Sequence, residues 1–360
     1  MRILHILNHV QEIGNGIVNV ALDLACLQAE NGHNVGVASA GGEYEALLAE
    51  YAVKHFKLNQ TRAPLNIIKA AWRYWRIIQE FQPDIVHAHM MTGVVLAKLW
   101  QAFSTYTLIS TVHNEFQRSA VLMGCADRVI AVSHAVAESM AQRGIPQNKL
   151  RVISNGTLGS ARVRNLQEYM AMELQRPAIV TVAGMYKRKG ISELINAFAQ
   201  IAGDFLDVHL YLVGDGPDKT LFEQQAQSTP FANRIHFPGF QKEPQSYMLA
   251  CDIFVLASHR DPSPLVIPEA REAGCAIIAC NVDGIPEALD GGQAGILVPP
   301  ADSQAIAEAL RQLLSSPDLM HQWKKLAQQN LDRLSVMRVN NETMSVYLET
   351  TTPGKVFSVI

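Results

Sequence analysis

Two carboxylates, Asp261 and Glu269, stand eight positions apart in the segment Asp261-Pro-Ser-Pro-Leu-Val-Ile-Pro-Glu269-Ala, which reads as a loop running into a helix. Pro262, Pro264 and Pro268 carry no N–H, so each belongs outside the helix or in its first turn, where that donor has no intrahelical partner. One acid before the helix and another about two turns inside it would grip different parts of a single ligand. The helix N-terminus between them, with the amides of Leu265 and Val266, is an anion site. A second charged segment, Val182-Ala-Gly184-Met-Tyr-Lys187-Arg188-Lys189-Gly190, follows a strand-like run and precedes a helix start. Three adjacent cations are often only a solvated turn, but at the carboxyl edge of a strand they are charge-assisted donors for a diphosphate.

Other candidates lie nearer the start of the chain. In His9-Val-Gln-Glu-Ile-Gly14-Asn-Gly16 the glycines allow close approach of backbone to phosphate at a helix start. A nicotinamide site does not follow, because Asn19 stands where a third glycine belongs and the next strand ends Ala38-Ser39-Ala40 with no acid for a ribose. In Pro83-Asp84-Ile-Val-His87-Ala-His89 the period of two puts both histidines on one face. With no acid or thiol at useful spacing they read as structural or pocket-lining residues, and no metal site is expected. His113, in Thr111-Val-His113-Asn-Glu115, ends a strand-like run. There an imidazole suits contact with hydroxyls, although a lone histidine is as readily structural.

These residues need two scaffolds. A chain of 360 residues exceeds what one core usually supports. Short apolar runs at 3–8, 34–39, 85–88, 107–112, 128–132 and 150–153 alternate with helical patterns, and the rhythm repeats at 178–183, 208–213, 235–237, 253–256, 276–279 and 295–298. Such alternation predicts parallel sheets with helices on both faces, hence an α/β chain of two Rossmann-like, doubly wound domains. Residues 154–165 form the expected linker. Apolar positions at helical spacing (Val336, Val339, Met344, Tyr347) predict a last helix over 335–350, and a frayed end is expected over 350–354.

Composition narrows the function. No apolar run approaches the ~20 residues of a membrane span, and Met1–Leu7 reads as a strand, not a signal, so a cytoplasmic protein is expected. The five cysteines are scattered and odd in number, as for free buried thiols. Residues 1–165 hold 15 Lys and Arg against 11 Asp and Glu, whereas 166–360 hold 15 against 22. That asymmetry fits an anionic substrate or surface near the first half and is too weak for nucleic acid. Lys69, Trp72, Arg73, Tyr74, Trp75 and Arg76 put aromatic and basic residues on one helix, Ile67–Phe81, which either covers a sheet or contacts a membrane interface.

Taken in order over roughly residues 1–350, these motifs resemble the retaining glycosyltransferases of the GT-B fold, in the large Glu-x7-Glu family (glycosyltransferase family four, glycosyl transferases group 1). The resemblance also rests on Val213-Gly-Asp-Gly-Pro217, Phe237-Pro-Gly-Phe240, Asp283-Gly-Ile-Pro-Glu287 and Gly295-Ile-Leu-Val-Pro-Pro-Ala-Asp302. It implies an acceptor-side domain over 1–165, a nucleotide-sugar domain over 166–334 facing it across a cleft, and a helix at 335–350 crossing back. It implies a UDP-hexose donor, UDP-glucose for instance, a saccharide or lipid-linked saccharide acceptor, no metal, and attack on the front face without an enzyme nucleophile. Gly16, Arg188, Lys189, Leu265, Val266 and Glu269 would bind the donor, Glu269 through the ribose hydroxyls, while His113 and Asp261 would face the reacting sugar. The chain departs from the family at Asp261, where the first Glu is expected, at Met185, which replaces a diphosphate-binding Arg, and at Pro264, which replaces a Gly. An epimerase or a degenerate sugar-nucleotide binder of the same fold are the alternative readings.

Overall fold

The computed structural model describes residues 1–61 and 63–350; positions 351–354 of the expected frayed end lie outside them. Two compact units divide the chain, one of residues 1–163 with 335–350 and one of residues 164–334. In chain order the first unit runs β1 (Arg2–Ile6), α1 (Gly16–Glu30), β2 (Asn34–Ser39), α2 (Glu45–Glu50), β3 (Lys54–Lys57), α3 (Pro64–Phe81), β4 (Ile85–Ala88), α4 (Met91–Gln101), β5 (Thr107–Val112), β6 (Arg128–Ala131), α5 (His134–Gln142) and β7 (Leu150–Val152). Its strands form one parallel sheet in the order β3-β2-β1-β4-β5-β6-β7.

Both faces of that sheet are covered, as parallel strands require. Leu4, Ile6, Val86, Ala88 and Leu108 pack with Tyr74 and Ile77 of α3 and Val94 and Ala97 of α4. On the other face Val35 and Val37 pack with Leu22, Ala25 and Cys26 of α1. Helix α3 buries Ala70, Tyr74, Ile77, Ile78 and Phe81, the spacing of an amphipathic helix. Strand β3 has no counterpart in the sequence reading. Its residues, Lys54-His-Phe-Lys57, bury only Phe56 and lie at the sheet's edge, where flanking lysines discourage further pairing.

The second unit continues β8 (Ala178–Val182), α6 (Ile191–Ile201), β9 (His209–Val213), α7 (Lys219–Gln227), β10 (Ile235–Gly239), α8 (Gln245–Leu249), β11 (Ile253–Leu256), α9 (Val266–Glu272), β12 (Ala276–Cys280), α10 (Ile285–Ala288), β13 (Ile296–Val298), α11 (Ser303–Ser315) and α12 (Pro317–Ala327). The sheet is again parallel, ordered β10-β9-β8-β11-β12-β13. The final helix, α13 (Val336–Thr350), returns to the first unit. There Val336 N–H donates to the Leu158 carbonyl at 2.9 Å and the Arg338 guanidinium to that of Ser154 at 2.7 Å. Among the described residues, no helix is long and apolar enough to cross a membrane.

The turn between β8 and α6 depends on one glycine. Gly190 has φ +66°, and a Cβ there would lie 1.8 Å from the Ala257 carbonyl oxygen. A side chain at this position meets both the left-handed penalty, about 1–2 kcal/mol, and a backbone collision between two strand-end loops. Gly190→Ala is therefore expected to lower the urea midpoint by the equivalent of at least about 1–2 kcal/mol, checked by equilibrium denaturation of the purified variant.

Candidate functional site

In each sheet the strand order reverses once, between β1 and β4 and between β8 and β11. Loops leaving the carboxyl ends of such a pair diverge to opposite faces and open a crevice where ligands bind. In the second unit the loop after β8 brings Lys189 and the loop after β11 brings Asp261. Their ammonium and carboxylate meet at 2.5 Å with both side chains largely buried. Ser258 Oγ donates to the same carboxylate at 3.3 Å, and the Asp261 backbone N–H donates to Asp283 at 2.8 Å. Asp283 in turn receives Arg260 Nε at 2.9 Å. Asp261 is thus turned inward on a cation, and the pair holds the two loops together across the strand gap. Breaking a buried pair of this kind leaves an uncompensated charge, at a cost of about 3–5 kcal/mol.

The neighbours sort into scaffold and surface. Met185 is fully buried in the core between sheet and helices, so the residue at the family's arginine position serves packing. Arg188 stays near the surface, its guanidinium 5.6 Å from the Tyr186 ring centroid. Its backbone carbonyl accepts from His259 N–H at 2.8 Å. Leu265 is the N-cap of α9 and Val266 its first residue, so their amides are among those without an intrahelical acceptor. Glu269 falls in the first turn of α9. The expectation of a position two turns inside is corrected, because Pro262 and Pro264 keep the preceding residues out of the helix and Pro268 is accommodated in its first turn.

In the first unit, Gly14 takes φ +66° and Asn15 caps α1, its side chain accepting from Ile17 N–H at 3.0 Å. Gly16, the first helical residue, is exposed. A pocket of about 180 Å³ lies beside this loop, lined by Asn8, Ile17, His89, Thr92, His113 and Asn114 among others. That is below the few hundred Å³ of a drug-sized ligand site, and matches one sugar-sized portion of a larger molecule. His113 therefore reaches a pocket, and His87 does not.

Behind the pocket is a histidine cluster that sequence spacing reveals only in part. Parallel register sets His5 beside His87. His5 Nε2 meets Gln28 Oε1 at 2.9 Å, His5 Nδ1 meets His89 Nε2 at 3.0 Å, and His89 Nδ1 meets His113 Nε2 at 3.1 Å. His87 is held separately, Nδ1 to the Tyr347 hydroxyl at 2.6 Å and Nε2 to Thr111 Oγ1 at 2.7 Å. Nitrogens of His5, His87 and His89 lie within 4.8 Å of one another, a spacing a metal ion would accept, yet every one of those nitrogens already has a protein partner. Burial pushes the His5 pKa down to about 4 and that of His113 to about 3, and puts His87 and His89 well below the ordinary value. The sequence offered one signal for His5: a polar residue at the same parity as His87 in an otherwise apolar strand.

Two family models match the chain, "Glycosyltransferase Family 4" over residues 14–157 and "Glycosyl transferases group 1" over residues 168–330. The chain belongs to these glycosyltransferase families and has the GT-B fold, each of its units carrying one of the two models. It is 27% identical over 194 residues to the lipopolysaccharide core biosynthesis glycosyltransferase LpsE of Rhizobium meliloti (strain 1021), a match covering 54% of this chain and 55% of that one. Identity to LpsD of the same organism is 26%, over 72% of this chain and 73% of the relative. Anabaena Alr3699/HepE, solved in complex with UDP-glucose, superposes with a TM-score of 0.82 at 21% identity, over 97% of this chain and all of that one.

The buried histidines make stability depend on pH. Their ordinary value is 6.5, while the native values of His5 and His113 are about 4 and 3. Between about pH 6.5 and 4 the unfolded chain binds protons that the native state refuses, so unfolding free energy rises with pH and falls on acidification. The contribution is complete above about pH 6.5, and each such histidine removes up to about 1.4 kcal/mol per pH unit below it. Urea midpoints measured at pH 7.5, 6 and 5 are expected to fall in that order, and less steeply in His5→Gln; a flat series would mean that these histidines titrate normally.

Proposed function

We propose that the chain is a metal-independent, retaining glycosyltransferase that moves a hexose from a UDP-sugar to an acceptor hydroxyl in the assembly of envelope polysaccharide or glycolipid. The observation that carries this reading is the convergence of Lys189 and Asp261 from two different loops on the strand gap of the second unit, next to a helix start bearing Glu269. In this reading the second unit takes the donor. Lys189, held by Asp261, and Arg188 neutralise the departing diphosphate together with the amides of Leu265 and Val266. The Glu269 carboxylate accepts both ribose hydroxyls. Positive side chains there supply the charge that other glycosyltransferases draw from a divalent ion bound at Asp-x-Asp, a pair that does not occur in this sequence.

The first unit, with Gly16 and His113, is assigned to the reacting sugar and the acceptor. Retention without an enzyme nucleophile calls for attack on the face the diphosphate leaves, the leaving phosphate receiving the acceptor's proton. The lipopolysaccharide core biosynthesis assigned to the Rhizobium relatives and the UDP-glucose bound to the Anabaena protein support the choice of donor class and pathway type. A second surface supports a lipid-linked acceptor reached from the cytoplasmic side. Ile67, Ile68 and Trp72 on α3, Val95 and Leu99 on α4, and Phe103 just beyond are all exposed. Lys69 and Arg76 lie on the same helix as Trp72, and the Arg76 guanidinium sits 4.9 Å from the Trp72 ring centroid. Apolar side chains flanked by cations suit an anionic bilayer interface.

Each element of the proposal has a measurable outcome. Lys189→Ala is expected to lower kcat by about 10²–10³, and Glu269→Ala to raise the KM for donor by about 10- to 100-fold, as loss of hydrogen bonds to a charged group implies. Near-normal kinetics in both purified variants would remove the site assignment. NMR of the first-formed product should show the anomeric configuration of the donor, and the opposite configuration would rule out retention. In flotation assays the protein is expected to rise with anionic liposomes and to do so less when Ile68 and Trp72 are both replaced by Ser; absence of binding to any liposome would eliminate the membrane contact.

A further inference from the structure

The histidine chain has a direction. A neutral imidazole carries one N–H and one lone pair, so the hydrogen bond at one nitrogen decides the role of the other. At the buried end, the Gln28 oxygen can only accept, so His5 Nε2 carries the proton and His5 Nδ1 is an acceptor. His89 Nε2 must then donate to His5, which leaves His89 Nδ1 to accept from His113 Nε2–H. The polarity is set by the amide orientation that turns Gln28 Oε1 toward His5 Nε2. His87 stands outside this chain, its Nδ1 2.6 Å from the Tyr347 hydroxyl and its Nε2 2.7 Å from Thr111 Oγ1. Reversing the amide would reverse every bond from Gln28 to His113.

His113 is the one member of the chain that is only partly buried, and it lines the pocket with Asn8. Among the described residues its Nδ1 has no hydrogen-bond partner. Asn8 Oδ1, on the same pocket, is buried and likewise unpaired. We propose that Gln28, His5 and His89 are positioning residues that lock His113 in the Nε2–H tautomer, so that His113 Nδ1, with Asn8 Oδ1, accepts hydrogen bonds from ligand hydroxyls. The pocket then selects for groups that donate and against carboxylates and carbonyls, which offer only acceptors and would face two lone pairs. The lock itself stands on geometry alone; that the hydroxyl belongs to a sugar rests on the glycosyl-transfer reading above.

Selective ¹⁵N labelling of histidine in the full-length protein, with long-range ¹H–¹⁵N correlation, reads the tautomer directly. His113→Asn assigns the resonance by its disappearance. The expected result at pH 7.5 is a single Nε2–H form of His113 in the wild-type protein. In Gln28→Leu, which removes the terminal acceptor, the His113 signal is expected to become a mixture of tautomers, and kcat/KM to fall by about three- to tenfold, the worth of one neutral hydrogen bond. An Nδ1–H form in the wild type, or an unchanged Nε2–H form in Gln28→Leu with native-like stability, would overturn the lock. If Gln28→Leu proves unstable, His89→Gln tests the same link one step nearer the pocket, and a His113 still confined to the Nε2–H form there would also overturn it. A locked tautomer in a protein that transfers no sugar from any UDP donor would leave the lock standing and sink the proposed function. Transfer by an enzyme whose His113 is Nδ1–H would do the reverse.

Discussion

Parallel strands cannot be joined by tight turns. Each connection crosses a face of the sheet and re-enters at the opposite edge, so every loop that follows a strand emerges on the same side. In this chain the crossing direction changes once per sheet, at β1/β4 and at β8/β11, and only there do adjacent loops separate enough to admit a ligand. The residues capable of chemistry collect at those two places. Lys189 and Asp261 flank one gap, while Asn8 and His89 flank the other, with His113 beside them at the end of β5. The glycine at 190 belongs to the same constraint, since the loops after β8 and β11 touch so closely that no side chain fits between them.

Burial then treats the two sites differently. At the second-unit gap, a cation and an anion share a partly buried position, and each makes the other tolerable. At the first-unit gap the buried groups are imidazoles, for which desolvation favours the neutral form. One site thus keeps a charge that an anionic ligand can draw upon. The other keeps lone pairs and N–H groups whose usefulness lies in orientation. A diphosphate suits the first chemistry and hydroxyls the second.

Most of the architecture was legible from apolar periodicity, because strands buried on both faces leave continuous apolar runs. Strands 34–39, 85–88, 107–112 and 253–256 have the bounds those runs predict. Strand β3 was not legible, since an edge strand buries one residue and alternation over four positions carries little signal. Site residues divide along similar lines. Lys189 and Asp261 stand out as charges at strand ends, but nothing in their spacing says that they pair with each other across 72 residues. Met185 looked like a lost arginine and is a core residue. His5 and Gln28 escaped notice because their significance comes from register and helix docking, which bring together residues 84 and 23 positions apart.

The last helix ties these points together. α13 follows the whole second unit in sequence and yet packs on α1 and β5 of the first. Its Tyr347, fully buried, caps His87 and borders Gln28. Without that cover the face of the sheet bearing His5 and His87 would meet water, and hydration would return their pKa values toward the ordinary range. A protonated His5 would donate from both nitrogens, and His89 would then have to turn its own polarity around. The neutral, directional state of the chain behind His113 is therefore a property of the complete fold. It arises only when the final fifteen described residues have docked on the first strand's neighbours, so the chemistry of the first unit waits on the end of the chain.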